Sequence, residues 1–589
     1  MRLLLLSFFG MTLSTSFAQL VTSNGAILQI QTGATVQVNG GVELKNNTAC
    51  VNNGTWIITK NSTFSLPGNL HLLSNSNVSG NGRYEIEQDW LNNATFNAGN
   101  STVELFGNTQ QFIGTTTGTI TTFNNLELTG TGTLTNRKKT LQGANAGCGL
   151  TGNLSINDRE LETQTFTFFV TNPNPASVTN NTTPGSEGFV SSLSPGVFTR
   201  ITNSTSSYLF PTGSSAGTLR YRPLVLTPTQ ANSNTFATRL NNLDASGDGH
   251  DRNTNDNSFC TANPLFYHSI ERTVGASPAD ITIHYIGAAD GNWTGIAQWQ
   301  LGNVQWNNVA NATGGVNGIF NTQNRSAWLF TNPGDPYILT NVRPDAPVLT
   351  CPEVCENSSG NIFSAAGTGA TYTWTFPSNG TITNGQGTAQ TTVDWTTGTG
   401  SVSVVATDAS GCQSDPATCT PTVNPLPNAQ FSYANAGTSA EFTDLTPNAT
   451  NWDWTFGDGG TAIIENPTHE YPALGQYSVT LTVTDNNGCV NSTTQLIELL
   501  DQIVIPNIIT PNGDGINDLF EITTGGITDY NLIIQNRWGE VVYTTTDPLK
   551  HWDGKSNGTM VSEGVYFYQL TLTNIKETLK FHGFVTVSH

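Results

Sequence analysis

Charge is what this sequence has least of: Asp, Glu, Lys and Arg make up 11% of its 589 residues, where soluble domains carry roughly 25%. So thin a charge argues against a coiled coil, and the 36% apolar fraction with 59 Gly is a folding composition rather than a disordered one. Basic residues are the scarcer half, 21 Lys and Arg against 42 Asp and Glu, giving a net charge of −21. That excess repels phosphate backbones and anionic headgroups, so nucleic acid is not expected as a partner. Long apolar runs are missing too. Past the first residues no stretch reaches the roughly eighteen apolar residues of a membrane-spanning helix, and no transmembrane segment is expected. The sequence also lacks a serine nucleophile elbow, a His-Glu-x-x-His helix and a phosphate-cradling glycine loop, which points away from an enzyme.

What is abundant points to β structure. Asn, Thr, Gly and Ser crowd between short β-branched runs and suit turns and half-exposed strands, so the expected fold class is all-β. At roughly 150 residues per domain the length allows about four domains. Residues 1–18 have the pattern of a cleaved export signal: basic Met1-Arg2, apolar Leu3 to Leu13, then small residues around Ser16-Phe17-Ala18, leaving Gln19 first. Export puts the eight cysteines in an oxidising setting, where disulfides are expected.

The remainder divides by texture. Residues 19–150 hold short strand-like runs such as Thr35 to Val38, Trp56 to Ile58 and Thr102 to Leu105, separated by the turn pairs Asn39-Gly40, Asn53-Gly54 and Asn81-Gly82. Such spacing fits a parallel β-helix or strand-rich solenoid. No strict period appears, and an irregular sandwich built from hairpins competes with it. Residues 151–343 form a second β-rich unit with longer alternating runs, Tyr221 to Leu226 and Ile281 to Ile286 among them. Its tryptophans Trp293, Trp299, Trp306 and Trp328 suggest either a sugar-stacking platform or, the reading we favour, core packing. Residues 344–424 carry Cys351, Cys355, Cys412 and Cys419 and look like an immunoglobulin-like or PKD-like sandwich, followed by a proline-containing junction at 425–428.

Two further segments carry longer motifs. In residues 428–500, Trp454, Phe456-Gly457-Asp458-Gly459, Pro467, His469, Tyr471, Gly475-Gln476-Tyr477, Val479, Leu481, Val483 and Thr484-Asp485 resemble the polycystic kidney disease (PKD) domain family. The resemblance implies a seven-stranded sandwich acting as a spacer or binding module, with structural roles for Asp458 and His469. Residues 501–589 carry five blocks: Ile505-Pro506-Asn507; Thr510-Pro511-Asn512-Gly513-Asp514-Gly515-Ile516-Asn517-Asp518; Asn536-Arg537-Trp538-Gly539-Glu540-Val541-Val542-Tyr543; Trp552-Asp553-Gly554-Lys555; and Glu563-Gly564-Val565-Tyr566-Phe567-Tyr568. In this order they resemble the gliding motility-associated C-terminal domain, the type B sorting signal of type IX secretion. That resemblance implies recognition by the outer-membrane machinery of type IX secretion and a final location at the cell surface or in the medium. From the residues alone the blocks are turns between strands of a small sandwich.

Three sites are put forward for test. Two disulfides are expected within the 344–424 unit, Cys355 with Cys412 and Cys351 with Cys419, one of three pairings; Cys50, Cys148, Cys260 and Cys489 have no partner the sequence argues for. Asp244, Ser246, Asp248 and Asp251 alternate oxygen donors before and after Gly249, like the first half of a calcium loop. An acidic turn capping its own backbone is the competing reading, and no cofactor other than calcium is expected. Finally, Glu85 and Glu87, two apart on one strand, would share a face as an acid/base pair does in glycoside chemistry; a solvated strand face is the simpler reading. The function expected is a noncatalytic, modular adhesin or extracellular binding protein. The alternative is a carbohydrate-active or carbohydrate-binding protein with an extracellular glycan as ligand.

Overall fold

The computed structural model describes residues 16–17, 20–133, 136–330, 334–500, 503–574 and 577–589. The export signal at residues 1–18 lies outside the described residues, apart from the backbone of Ser16–Phe17. Nearly every element is a β-strand, so the fold is all-β. The chain forms two compact units, one of residues 1–345, 368–370 and 406–415, the other of residues 346–367, 371–405 and 416–589.

The first unit begins as a stack of coils. Strands three apart in sequence pair in parallel, so that Thr35–Asn39, Thr55–Thr59, Arg83–Ile86, Thr102–Leu105 and Asn125–Leu128 lie side by side in one sheet, and two further series run beside them. Inward positions repeat: Val38, Ile58, Ile86, Leu105 and Leu128 follow one another in register, all buried. Corners are built by Asn and Gly. Asn53 Oδ1 accepts from Asn81 N (3.1 Å) and Asn81 Oδ1 from Asn100 N (2.8 Å), one coil up each time. The glycines beside them permit close stacking, since a Cβ on Gly54 would lie 2.3 Å from Ala34 O and one on Gly82 2.3 Å from Gly54 O.

The stacking does not stop at residue 150, and the domain boundary drawn there is corrected. Phe123 pairs with Cys148, Cys148 with Val170 and Val170 with Arg200, all in parallel. Val197–Thr202 then takes the antiparallel partner Asn234–Asn241, so that the coils continue into an antiparallel region within one mixed sheet. A five-stranded antiparallel sheet, which includes Leu224–Pro228 and Ala279–Tyr285, shares its core, and one apolar cluster runs from Ile30 to Leu339. Continuous burial of apolar surface makes the coils and the antiparallel region one folding unit.

The second unit is a series of sandwich modules. Four strands, Val348–Thr350, Ser358–Ala366, Gln390–Trp395 and Gly380–Asn384, form one sheet of the first module. The next has sheets of three and four strands, with Phe431, Phe442, Trp454 and Phe456 at the centre of its core. The last is a five-stranded sheet in the order Ile508–Ile509, Thr578–Val587, Gly564–Asn574, Ile527–Gln535 and Val541–Thr545, with the small hairpin Lys555–Ser556 and Thr559–Met560.

Three disulfides join Cys260 to Cys412, Cys351 to Cys419 and Cys355 to Cys489. The expected Cys355–Cys412 bridge is therefore corrected. Cys412 lies on a turn capped by Asp408, whose Oδ1 accepts from Cys412 N (2.9 Å), and its Sγ lies 3.4 Å from Asn341 O. Asn341 pairs with Thr261, the neighbour of Cys260. Cys355 in turn pairs through its strand with Asn424, whose carbonyl lies 4.0 Å from Cys489 Sγ. Cys50 and Cys148 are buried free thiols.

Candidate functional site

The five C-terminal blocks converge. The loop Pro511–Asp518 ties itself down: Asp518 accepts from Gly513 N (2.8 Å) and Gly515 N (2.7 Å), and these two N–H groups hold its carboxyl below the usual range. Asp514 Oδ1 accepts from Ile516 N (2.8 Å), and Asn517 O from Thr510 N (2.7 Å). Gly554 closes on this loop, a Cβ there lying 2.8 Å from Pro511 Cγ. Trp552 is fully buried, its Nε1 donates to Lys555 O (2.9 Å), and its ring meets Tyr566 edge-on at 5.2 Å. Asp553 caps the same turn, accepting from Lys555 N (3.1 Å).

The Asn536–Glu540 turn is built by Asn536, whose Oδ1 accepts from Trp538 N (3.0 Å) and Glu540 N (3.1 Å), while Gly539 adopts φ +80°. This leaves Trp538 85% exposed. Arg537 lies over Gly564, with Nη2 3.6 Å from where a Cβ would be. Together Arg537, Trp538, Glu563, Val565 and Tyr566 line a cavity of about 250 Å³. Glu563 Oε1 also accepts from His589 N (2.7 Å). Most motif residues thus build the fold, whereas Arg537 and Trp538 face outward.

Residues 503–587 match the CHU_C type IX secretion signal domain. They are a type IX secretion signal domain. Upstream, residues 420–499 match the PKD domain and residues 344–420 the PKD-like domain. The curated relatives include collagenase ColA of Clostridium perfringens, 38% identical over 65 residues, which are 11% of this chain and 6% of the collagenase. A microbial collagenase of Vibrio alginolyticus is 46% identical over 44 residues, 8% of this chain and 5% of that protein. The chain thus spans about a twentieth of the length of either collagenase. Among solved structures, the PKD1 domain of the Vibrio cholerae metalloprotease PrtV is 34% identical and covers 13% of this chain and 99% of its own, with a TM-score of 0.13. With its secretion signal domain and PKD domains, the chain is a modular protein exported to the cell surface or the extracellular space, and among the described residues no helix is long and apolar enough to cross a membrane.

In the PKD domain ahead of the secretion signal domain, His469 Nε2 and Asp458 Oδ2 lie 2.8 Å apart with the imidazole stacked on Phe456 at 4.1 Å. Burial pushes the Asp458 carboxyl up, but the bonds from His469 and Gly460 N outweigh it and the carboxyl ends below its ordinary value. The pair fixes the Gly457–Gly459 turn to the strand Thr468–Glu470.

In the first unit the sequence candidates are placed differently from expectation. Asp244 caps a 3-10 turn, Ala245–Asp248, and Arg252 folds back on it, Nε donating to Oδ1 (2.7 Å) and Nη2 to Oδ2 (2.8 Å). The guanidinium stands where a cation would be needed and holds the Asp244 carboxyl low. Asp248 accepts from Tyr267 OH, and Asp251 from Asn253 N (3.1 Å) and Thr254 Oγ1 (3.2 Å). Ser246 Oγ reaches Asp251 at 3.5 Å. The four residues do not converge, and this donor set does not fit calcium. Among the described residues no group of three or more His, Cys, Asp or Glu is arranged to hold a metal ion.

Glu85 and Glu87 are each engaged by a different basic residue. Glu85 stacks in register with Glu104 and Glu127 on successive coils, and Arg83 serves all three, with Nε 3.0 Å from Glu85 and Nη2 2.7 Å from Glu127 and in contact with Glu104. Glu87 is held by Lys60 through its backbone N (2.9 Å) and Nζ (3.3 Å). Trp299 and Trp306 are buried against each other at 5.3 Å, and Trp293 and Trp328 pack against the main core, so the tryptophans are packing residues. Sequence reasoning missed Arg83, which stands two residues from Glu85 but 21 and 44 from Glu104 and Glu127, and Arg252, which stands eight residues from Asp244.

Proposed function

We propose that this protein is a noncatalytic surface adhesin whose first unit attaches to an extracellular matrix or surface ligand. The observation that supports this most is the pairing of the solenoid's surface carboxylates: Glu85, Glu104 and Glu127 on Arg83, Glu87 on Lys60, and Glu162 on Lys138 at 2.7 Å. These pairs knit neighbouring coils together and leave the carboxylates engaged, whereas glycoside chemistry calls for a protonated acid and a free base across a groove.

Carbohydrate binding is the second reading, and one feature favours it. A cavity of about 330 Å³ in the first unit is lined by Leu209, Tyr221, His284, Asn317 and Phe320 among others, mixing apolar walls with polar groups. A glycan array probed with the full-length protein, run beside a screen for released reducing ends, tests both readings. Binding without release supports the carbohydrate-binding reading of a noncatalytic protein, and the absence of both supports an adhesin for a ligand other than a glycan. Release of reducing ends that survives repurification would overturn the noncatalytic assignment.

A further inference from the structure

We propose that the outward face of the C-terminal sheet, centred on Phe567 and Phe584 and continuous with Trp538, is the surface through which a protein of the outer-membrane secretion machinery holds this chain, using an apolar counter-surface edged with carboxylates. This rests on the assignment of residues 503–587 as a secretion signal domain.

The register places the patch. Phe567 stands directly opposite Phe584 on the neighbouring strand, Gln535 opposite Phe567, and Val541 opposite Gln535. One step along, Val565 is opposite Thr586, which is opposite Ile508. The inward side chains of the same two strands, Leu570, Leu572, Val585 and Val587, are buried. Phe567 and Phe584 are 48% and 53% exposed, and Val541, Val565 and Ile508 between 42% and 50%. An antiparallel sheet with one face on a core ordinarily turns polar residues to water on the other. Here both faces carry large apolar groups, and a cross-strand aromatic pair left in solvent marks an interaction site. Val565 also lines the Trp538 cavity, so the sheet face and the exposed indole form one surface.

Charge indicates the partner's chemistry. Arg537, Lys580 and His582 make no ion pair with any described residue, although acidic residues outnumber basic ones two to one in the chain. Lys580 and His582 are exposed and lie on the outward side, opposite Thr571 and Gln569. An apolar centre with an aromatic anchor and a cationic rim is the anatomy of a protein interface, and the secretion machinery is the partner that the domain's identity supplies.

The test is made in secreting cells on the full chain. Phe567→Ser with Phe584→Ser, and separately Trp538→Ser, should each lower the surface-plus-medium fraction at least tenfold and raise the periplasmic pool, while Gln569→Ser on the same face should leave export unchanged. Each purified variant should keep the wild-type melting profile. Because Trp538 enters the fold only through its backbone, its variant decides the matter even if the double variant unfolds. Normal export of folded Trp538→Ser and of the folded double variant would overturn the proposal. A chain truncated at residue 500 separates the premises: its retention beside normally exported variants refutes the face alone, whereas its normal export refutes the sorting assignment. A dimeric wild type made monomeric by the Phe substitutions, with export intact, would assign the face to a second copy and likewise end the proposal.

Discussion

Acidification from pH 7.5 to 4 should destabilise the first unit through one buried imidazole. His268 is fully buried, its Nε2 lies 3.0 Å from Arg222 O, and its Nδ1 has no hydrogen-bond partner. The neutral tautomer with the proton on Nε2 fits this site. A second proton would add an N–H with no acceptor, near the Arg222 guanidinium and the His284 imidazole. Burial is the main cause, and it pushes the His268 pKa from 6.5 down to about 4. The unfolded chain therefore binds a proton that the folded one refuses between these values. The contribution of His268 to stability is complete above pH 6.5, falls as pH drops, and reaches its full loss near pH 4. At about 1.4 kcal/mol per unit, the interval amounts to roughly 3 kcal/mol. Calorimetry of the full-length protein across this range, with His268→Gln beside wild type, measures it. The variant should be less stable at neutral pH and show a shallower dependence between pH 6.5 and 4, by about one proton. Equal slopes for the two proteins would refute the reasoning.

Three further outcomes are expected. Replacing Cys355 and Cys489 with Ser opens a bridge spanning 134 residues, which in the chain-entropy limit costs about 5 kcal/mol; denaturant unfolding measures the loss, and peptide mapping that finds Cys355 joined to Cys412 would contradict the assignment. Gly82→Ala should destabilise the solenoid by about 1–3 kcal/mol, because its Cβ meets Gly54 O at 2.3 Å; an unchanged melting profile would contradict the close stacking. Millimolar calcium should release no heat and leave the melting temperature unchanged, since Arg252 already occupies Asp244; a saturable calorimetric signal abolished by Asp244→Asn would contradict this.

Short-range chemistry was legible in the sequence and long-range pairing was not. The turn pairs Asn53-Gly54 and Asn81-Gly82 announced the corners of a coil because their roles, a side-chain amide bridge and a missing Cβ, are local. The period was hidden because successive coils take 20, 28, 19 and 23 residues, from Thr35 to Thr55, Arg83, Thr102 and Asn125; the strands hold register while the corners between them vary in length. The limit at residue 150 failed because the change from parallel to antiparallel pairing happens within one sheet, at Val197–Thr202, with no linker to mark it. Cys412 and Cys355 read as partners because both flank core strands of one unit, yet their partners are set by which strand each neighbours, Phe259–Ala262 through Asn341 for one and Val423–Asn424 for the other. The acidic turn misled for the opposite reason. Alternating oxygens were visible, and so was Arg252 beside them, but only its folding back on Asp244 decides that the charge is met from within. In the secretion signal domain the five blocks stood out as motifs, though the sequence alone did not separate Trp552, buried in the core, from Trp538, held out in water. The mixed parity of Val565 and Phe567 beside Tyr566 and Tyr568 was the available sign of a sheet apolar on both faces.

Export directed by the last domain is tested most directly by removing residues 501–589 and fractionating secreting cells. The truncated chain should accumulate in the periplasm, folded and with its Cys260–Cys412 bridge formed, while the full chain reaches the surface or medium. Delivery of the truncated chain to the surface in normal amounts would contradict it.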